Sequence, residues 1–148
     1  MQPATTFLNV DLEVKSRKDL RPLVEALGRE VLPLQEGRLG RRYWIRLELA
    51  RRAPKSPVDA IRRFCHLVSK LPAEVRELWD GASVRELDIG IQAGEEPAAA
   101  EWVLDPDALK EAANLGAQIR ITVYSPVVRT VPAPDPPAVT PPAVAAGR

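Results

Sequence analysis

Polar and apolar residues alternate one for one near the start of the chain. Leu8, Val10, Leu12 and Val14 are apolar, and Asn9, Asp11 and Glu13 lie between them. Period two sends the two sets to opposite faces, which predicts a half-buried strand over 7–14. The pattern returns three times. Tyr43, Ile45, Leu47 and Leu49 alternate with Trp44, Arg46 and Glu48; Leu87, Ile89 and Ile91 with Glu86, Asp88 and Gly90; Ile119, Ile121 and Val123 with Arg120, Thr122 and Tyr124. Two shorter stretches, 30–34 (broken by Pro33) and 101–104, also read as strands, and Glu36-Gly37-Arg38-Leu39-Gly40 reads as the turn after the first of them.

Between these stretches the apolar spacing turns helical. Leu20, Leu23, Val24 and Leu27 follow Ser16-Arg17-Lys18-Asp19, which resembles a capping box with Asp in place of Glu, and Gly28 supplies a stop. Ser56-Pro57-Val58-Asp59 opens a helix with Ser as the cap, Pro in the first turn and a stripe of Ile61, Phe64, Cys65 and Val68. Pro72 restarts a helix whose Val75, Leu78 and Trp79 point inward before Gly81. Asp105-Pro106-Asp107 opens another, carrying Leu109, Ala112 and Ala113 and ending at Gly116. The order is β-α-β-β-α-α-β-β-α-β. Hairpin-length connections favour antiparallel neighbours, so the expected fold is α+β, a mostly antiparallel sheet of five to six strands with three to four helices on one face.

Composition sets the limits of this domain. Six of the fifteen prolines fall after 130, in VPAPDPPAVTPPAVAAGR, which has no aromatic residue, Leu or Ile. Proline fixes φ and removes a donor, and the remaining side chains are too small to offset ordering entropy. We therefore expect a single domain over 1–126 and a disordered Pro/Ala-rich tail over 127–148. A single Cys rules out a disulfide framework, and one His with one Cys cannot form a zinc site of the usual type. The apolar runs are too short for a membrane helix, and Met1-Gln2-Pro3-Ala4-Thr5-Thr6 lacks the plan of a secretory signal, so a cytoplasmic protein is expected. Phosphate loops, nucleophile elbows and calcium loops are missing, and no cofactor is expected.

The stretch from Leu104-Asp105-Pro106-Asp107-Ala108-Leu109 through Gly116-Ala117-Gln118-Ile119-Arg120-Ile121-Thr122-Val123-Tyr124 joins a helix, a glycine and a last strand ending in Tyr. It resembles the closing motif of a bacterial family, domain of unknown function 4279. The opening strand followed by Leu20-Arg21-Pro22-Leu23-Val24-Glu25-Ala26-Leu27-Gly28 is compatible with the same family. The family pattern carries an acidic residue near the end of the last strand, where this chain has Thr122, so a role tied to that acid does not transfer. The resemblance implies an α+β fold and brings no established chemistry; some small bacterial domains of this kind look like toxin-neutralising immunity proteins.

Charge alters the picture more than composition does. The chain is nearly neutral, at +1, but the residues from Arg38 to Arg63 hold nine basic and two acidic side chains, and those from Glu74 to Glu111 eleven acidic and three basic. The plain reading is that the two segments neutralise each other in the fold; the alternative is a polarised partner site. The five acids Asp11, Glu13, Glu48, Glu86 and Asp88 fall on the polar sides of their strands, in phase with Trp44, Arg46, Arg120 and Tyr124. If one sheet collects them, its open face is the candidate site. An outward Trp between Arg42 and Arg46 suits an interface anchor. Cys65 and His66 are adjacent, so a helix would splay them by about 100°, which disfavours a nucleophile–base pair. The reading that follows is a non-enzymatic module that binds another protein, in a toxin-neutralising or accessory setting. Two alternatives stay open: an enzyme or metal site built from the open-face carboxylates, and nucleic-acid binding by the basic segment, which overall neutrality disfavours.

Overall fold

The computed structural model describes residues 3–126; the expected tail at 127–148 lies outside the described residues. Strand β1 (Thr6–Ser16) leads to helix α1 (Arg21–Leu27) and a 3-10 turn (Gly28–Glu30). A hairpin of β2 (Val31–Leu39) and β3 (Arg42–Leu49) follows, then helices α2 (Pro57–Ser69) and α3 (Ala73–Asp80), strand β4 (Val84–Gln92), helix α4 (Pro106–Asn114) and strand β5 (Gln118–Tyr124). The five strands form one sheet in the order β2-β3-β1-β4-β5. All neighbours are antiparallel except β4 and β5, which run parallel across the α4 crossover. The architecture is α+β, as the patterning predicts.

One hydrophobic cluster joins every helix to the same side of the sheet. Val10, Leu12, Val14, Ile45, Leu47, Leu87 and Ile89 supply the sheet's contribution, and Leu23, Ile61, Phe64, Trp79 and Ala108 that of the helices. Among the described residues, no helix packs on the other side of the sheet. Caps explain where two helices begin: Ser56 accepts from the Asp59 amide at 3.1 Å and Asp105 from the Ala108 amide at 2.9 Å. Trp79 anchors the helical layer, its indole donating to the Leu115 carbonyl at the end of α4 at 2.9 Å.

Several local expectations are corrected. Leu8 is half exposed rather than core, because Leu8 and Asn9 together oppose Gly90 in a β-bulge. The extra residue shifts the phase, and Phe7 packs toward the core instead. The segment 36–40 is mostly strand: β2 runs to Leu39, and the turn is only Gly40-Arg41, with Gly40 at φ +61°. The hairpin stays paired because Trp44 packs over Gly37 and the Arg38 guanidinium lies over the Tyr43 ring, 5.2 Å from its centroid. Pro33 is tolerated because β2 is an edge strand, with a register shift just after it. Residues 101–104 make no strand and run as an unpaired connector into α4. In α4 the buried positions are Ala108 and Ala112, while Leu109 is exposed. The expected capping box before α1 does not form, since Ser16 still belongs to β1 and Leu20 takes the cap position. Ser16 and Asp19 instead accept local backbone bonds from Lys18 and Arg21.

Candidate functional site

The strand register collects the polar phase of four strands on the helix-free face. Glu13 pairs with Arg46 on one side and Glu86 on the other, Asp11 pairs with Asp88, and Asp88 pairs with Arg120. Lys15 stands opposite Trp44. Asp11, Glu13, Arg46, Glu48, Glu86, Asp88 and Arg120 thus form a contiguous grid, with Trp44 at its edge. Tyr124 is on the same face but far off. Three strand spacings across and eight residues along place it roughly 30 Å from Trp44, so these two aromatics do not share a site.

Four of the five acids are committed to neighbours. Glu13, only 5 % exposed, holds Lys15 at 3.0 Å and Arg46 at 2.9 Å. Burial pushes its carboxyl up, but the hydrogen bonds from Arg46 and Lys15 outweigh that and hold it below its ordinary value. Glu86, 1 % exposed, accepts from the Gln118 amide and sits 3.0 Å from Arg120 Nε, at an angle that leaves Oε1 without a hydrogen bond. Asp88 accepts from the Thr122 hydroxyl at 2.7 Å, and Glu48 from the Asn9 amide at 2.8 Å.

Asp11 is the exception. Burial raises its pKa, and the carboxylates of Glu48, Asp88 and Glu13 add to the rise, while Arg46 opposes it. Like charges placed directly across a strand pair are destabilising. A raised value means the folded state prefers Asp11 protonated. Its contribution favours folding below the unfolded value, about 3.9, and is lost as pH rises through the higher folded value. Glu13 runs the other way, its contribution being present above the unfolded value and lost as pH falls through the lowered one. Asp11→Asn is therefore expected to stabilise the protein at pH 7 by about 0.5–1 kcal/mol. The gain should vanish near pH 3, where the wild-type carboxyl is itself neutral. Urea unfolding at the two pH values measures this; a loss of stability at pH 7 would show that the ionised carboxylate makes a favourable contact.

The basic residues divide into arginines that pair with acids and a group at the hairpin end that does not. Among the described residues, Arg62–Asp105, at 3.0 Å, is the one ion pair that joins the 38–63 segment to the 74–111 segment. Other arginines of the basic stretch pair elsewhere, Arg46 with Glu13, Arg51 with Glu30, and Arg52 and Arg63 with Asp59. Arg38, Arg41 and Arg42, together with Arg17, line one concave surface at the hairpin end with no acid among them. The near-zero net charge is thus a sum over patches: the two segments meet at Arg62–Asp105 and in the α2–α4 groove, while the arginines of the hairpin end stand apart.

Beside this basic end, Trp44 is half-buried. Its row along β3 places Arg42 and Arg46 on either side, and β2 offers only Gly37 opposite it, so the indole covers the space a side chain would fill. The indole Nε1 is buried with no hydrogen-bond partner, as is Arg46 Nε. Lys15, Gln118 and Thr122 hold the buried acids and join the candidate set. Their signal was present: Lys15 shares the phase of Glu13, and Gln118 and Thr122 share that of Arg120.

On the helical side, a groove of about 820 Å3 between α2 and α4 is lined by residues including Arg62, His66, Lys110, Glu111 and Asn114. Its charges are of both signs. Cys65, one position from His66, is buried, and burial pushes its thiol up to about 11. A thiol so shifted is almost wholly protonated at neutral pH and is a poor nucleophile. At pH 8 the native thiol should react with a disulfide reagent at least about 100-fold more slowly than the unfolded one; equal rates would mean that Cys65 is accessible. Among the described residues no group of three or more His, Cys, Asp or Glu side chains is placed to hold a metal ion, and no helix is long and apolar enough to cross a membrane. Compared with protein-family models, curated proteins and solved structures, the chain gives no match.

Proposed function

We propose that this protein is a non-enzymatic module that binds another protein through the open face of its sheet, in a toxin-neutralising or accessory setting. One observation carries the reading: the helix-free face ends in a half-buried tryptophan between Arg46, which Glu13 holds, and Arg42, which is exposed and has no ion-pair partner among the described residues. Aromatic side chains and Arg are the residues that concentrate binding energy at interfaces. The carboxylates support it by what they already do. Four of them are tied to Lys15, Arg46, Arg120, Gln118, Thr122 or Asn9, an arrangement suited to a rigid recognition surface and not to proton transfer.

A second reading rests on Asp11. Its raised pKa and its position opposite Asp88 are what a general acid needs. It lacks a second group poised for the complementary step, since Asp88 is engaged by Thr122. Affinity capture with the wild-type chain, Trp44→Ala and Asp11→Asn separates the readings. A partner retained by wild type and Asp11→Asn but lost with Trp44→Ala is the expected result. Equal retention by Trp44→Ala would overturn the open-face reading.

A further inference from the structure

We infer that the cavity beside Trp44 receives an acidic segment of a partner protein that carries one apolar side chain; the inference rests on the open-face reading and gives that partner its chemistry. The cavity encloses about 620 Å3. Lys15, Arg42, Arg46 and Arg120 bring cationic side chains to its lining, against a single acid in the lining, Glu13; Arg120 also pairs with Glu86, and the Arg38 guanidinium lies over Tyr43 on the other face. That acid is already taken up, Oε1 by Lys15 and Oε2 by Arg46. Two buried donors in the lining, Trp44 Nε1 and Arg46 Nε, have no acceptor. The cavity is thus rich in donors and positive charge and short of acceptors. A buried donor without a partner carries a desolvation penalty, and an entering carboxylate brings acceptors and opposite charge to the cationic side chains around these donors.

Apolar surface in the same place selects the rest of the ligand. Leu39 is 83 % exposed at the hairpin end and borders the cavity with the Trp44 indole. An apolar side chain set between them would be clamped while flanking carboxylates meet Arg42 and the other cationic side chains of the lining. A nucleic acid also brings anions, but its backbone continues as a regular line of phosphates. Leaving the cavity across the sheet, that line would cross Asp11, Glu48, Glu86 and Asp88, within a strand spacing or two and inside the Debye length of about 8 Å. A peptide can place its carboxylates away from those acids; a regular line of phosphates drawn across the sheet meets them.

The test uses the full chain labelled with 15N, its Trp44 indole resonance assigned by loss in Trp44→Phe. The probes are a nonapeptide of Asp and Glu with a central Leu, the same peptide with a central Ser, a Lys version, and oligothymidylate of similar length. The Leu peptide should shift the Trp44 indole signal saturably, with affinity falling as salt rises. Arg42→Glu, at an exposed position, should weaken it by roughly tenfold or more, and the central Ser by a similar factor. No shift with the Leu peptide, equal binding of the Lys peptide, or tighter binding of oligothymidylate would each overturn the inference. Footprinting of a captured partner keeps the two proposals apart. Protection of the open face with the peptides silent defeats the acidic chemistry alone; protection of the α2–α4 groove instead defeats the open-face reading as well.

Discussion

Trp79→Ala should cost about 3–5 kcal/mol, the usual range for removing a large aromatic side chain from a core. Trp79 is 1 % exposed, and its indole is the donor that joins α3 to the Leu115 carbonyl at the end of α4. Truncation leaves a cavity in the core and removes that bond. For a domain of this size the loss corresponds to a fall in Tm of roughly 15 °C, against a total stability of about 5–15 kcal/mol. Trp79→Phe keeps most of the volume and should lose only about 1–2 kcal/mol, for the carbonyl bond. Trp44→Ala, on the open face, should cost about 1 kcal/mol or less. Thermal unfolding of the three variants side by side checks this. A Trp44→Ala loss as large as that of Trp79→Ala would make Trp44 a framework residue and take the anchor from the proposed interface.

The two tryptophans show how far a pattern of positions reaches. Trp79 lies four residues after Val75 on a helix, and that spacing alone placed it inside. Trp44 alternates with Tyr43 and Ile45, and its phase placed it on the polar face. What the phase could not show is that β2 continues to Leu39 and presents Gly37 beneath the indole. Glu36-Gly37-Arg38-Leu39-Gly40 has the composition of a turn, but cross-strand contacts of Trp44 and Tyr43 hold it as strand. Tertiary packing overrides local preference here. Leu8 fails for a related reason: a bulge adds one residue, and every position before it changes face.

The candidate site was legible as a set and illegible as an arrangement. Alternation assigns each acid to a face, yet neighbours across the sheet depend on strand order, which a single chain does not state. The order β2-β3-β1-β4-β5 puts Glu13 between Arg46 and Glu86 and sets Asp11 against Asp88, while it leaves Tyr124 at the far end. Charge segregation was legible too, but not its outcome. Net charge counts residues without regard to distance, so it could not show that Arg38, Arg41 and Arg42 gather with Arg17 around one surface at the hairpin end.

The strongest test of what the buried acids do is an asymmetry within one ion pair. In the Arg120–Glu86 contact the arginine side chain is 53 % exposed and the glutamate 1 %. Arg120→Ala leaves a buried carboxylate with only Gln118 as donor. Removing one partner of a buried pair costs about 3–5 kcal/mol; since loss of the Arg120 side chain lets water reach Glu86, we expect about 1–3 kcal/mol. Glu86→Gln removes the buried charge and leaves a guanidinium that water already hydrates, so its cost should stay within about 1 kcal/mol. The double variant should then regain much of what Arg120→Ala lost, a coupling of about 1–2 kcal/mol. Urea unfolding of the four proteins measures the cycle. Strict additivity would mean that Glu86 does not depend on Arg120, and the face would then hold a second acid, beside Asp11, free for chemistry. Strong coupling assigns Glu86 to the framework that keeps the sheet face rigid, and leaves recognition to Trp44 and the arginines around it.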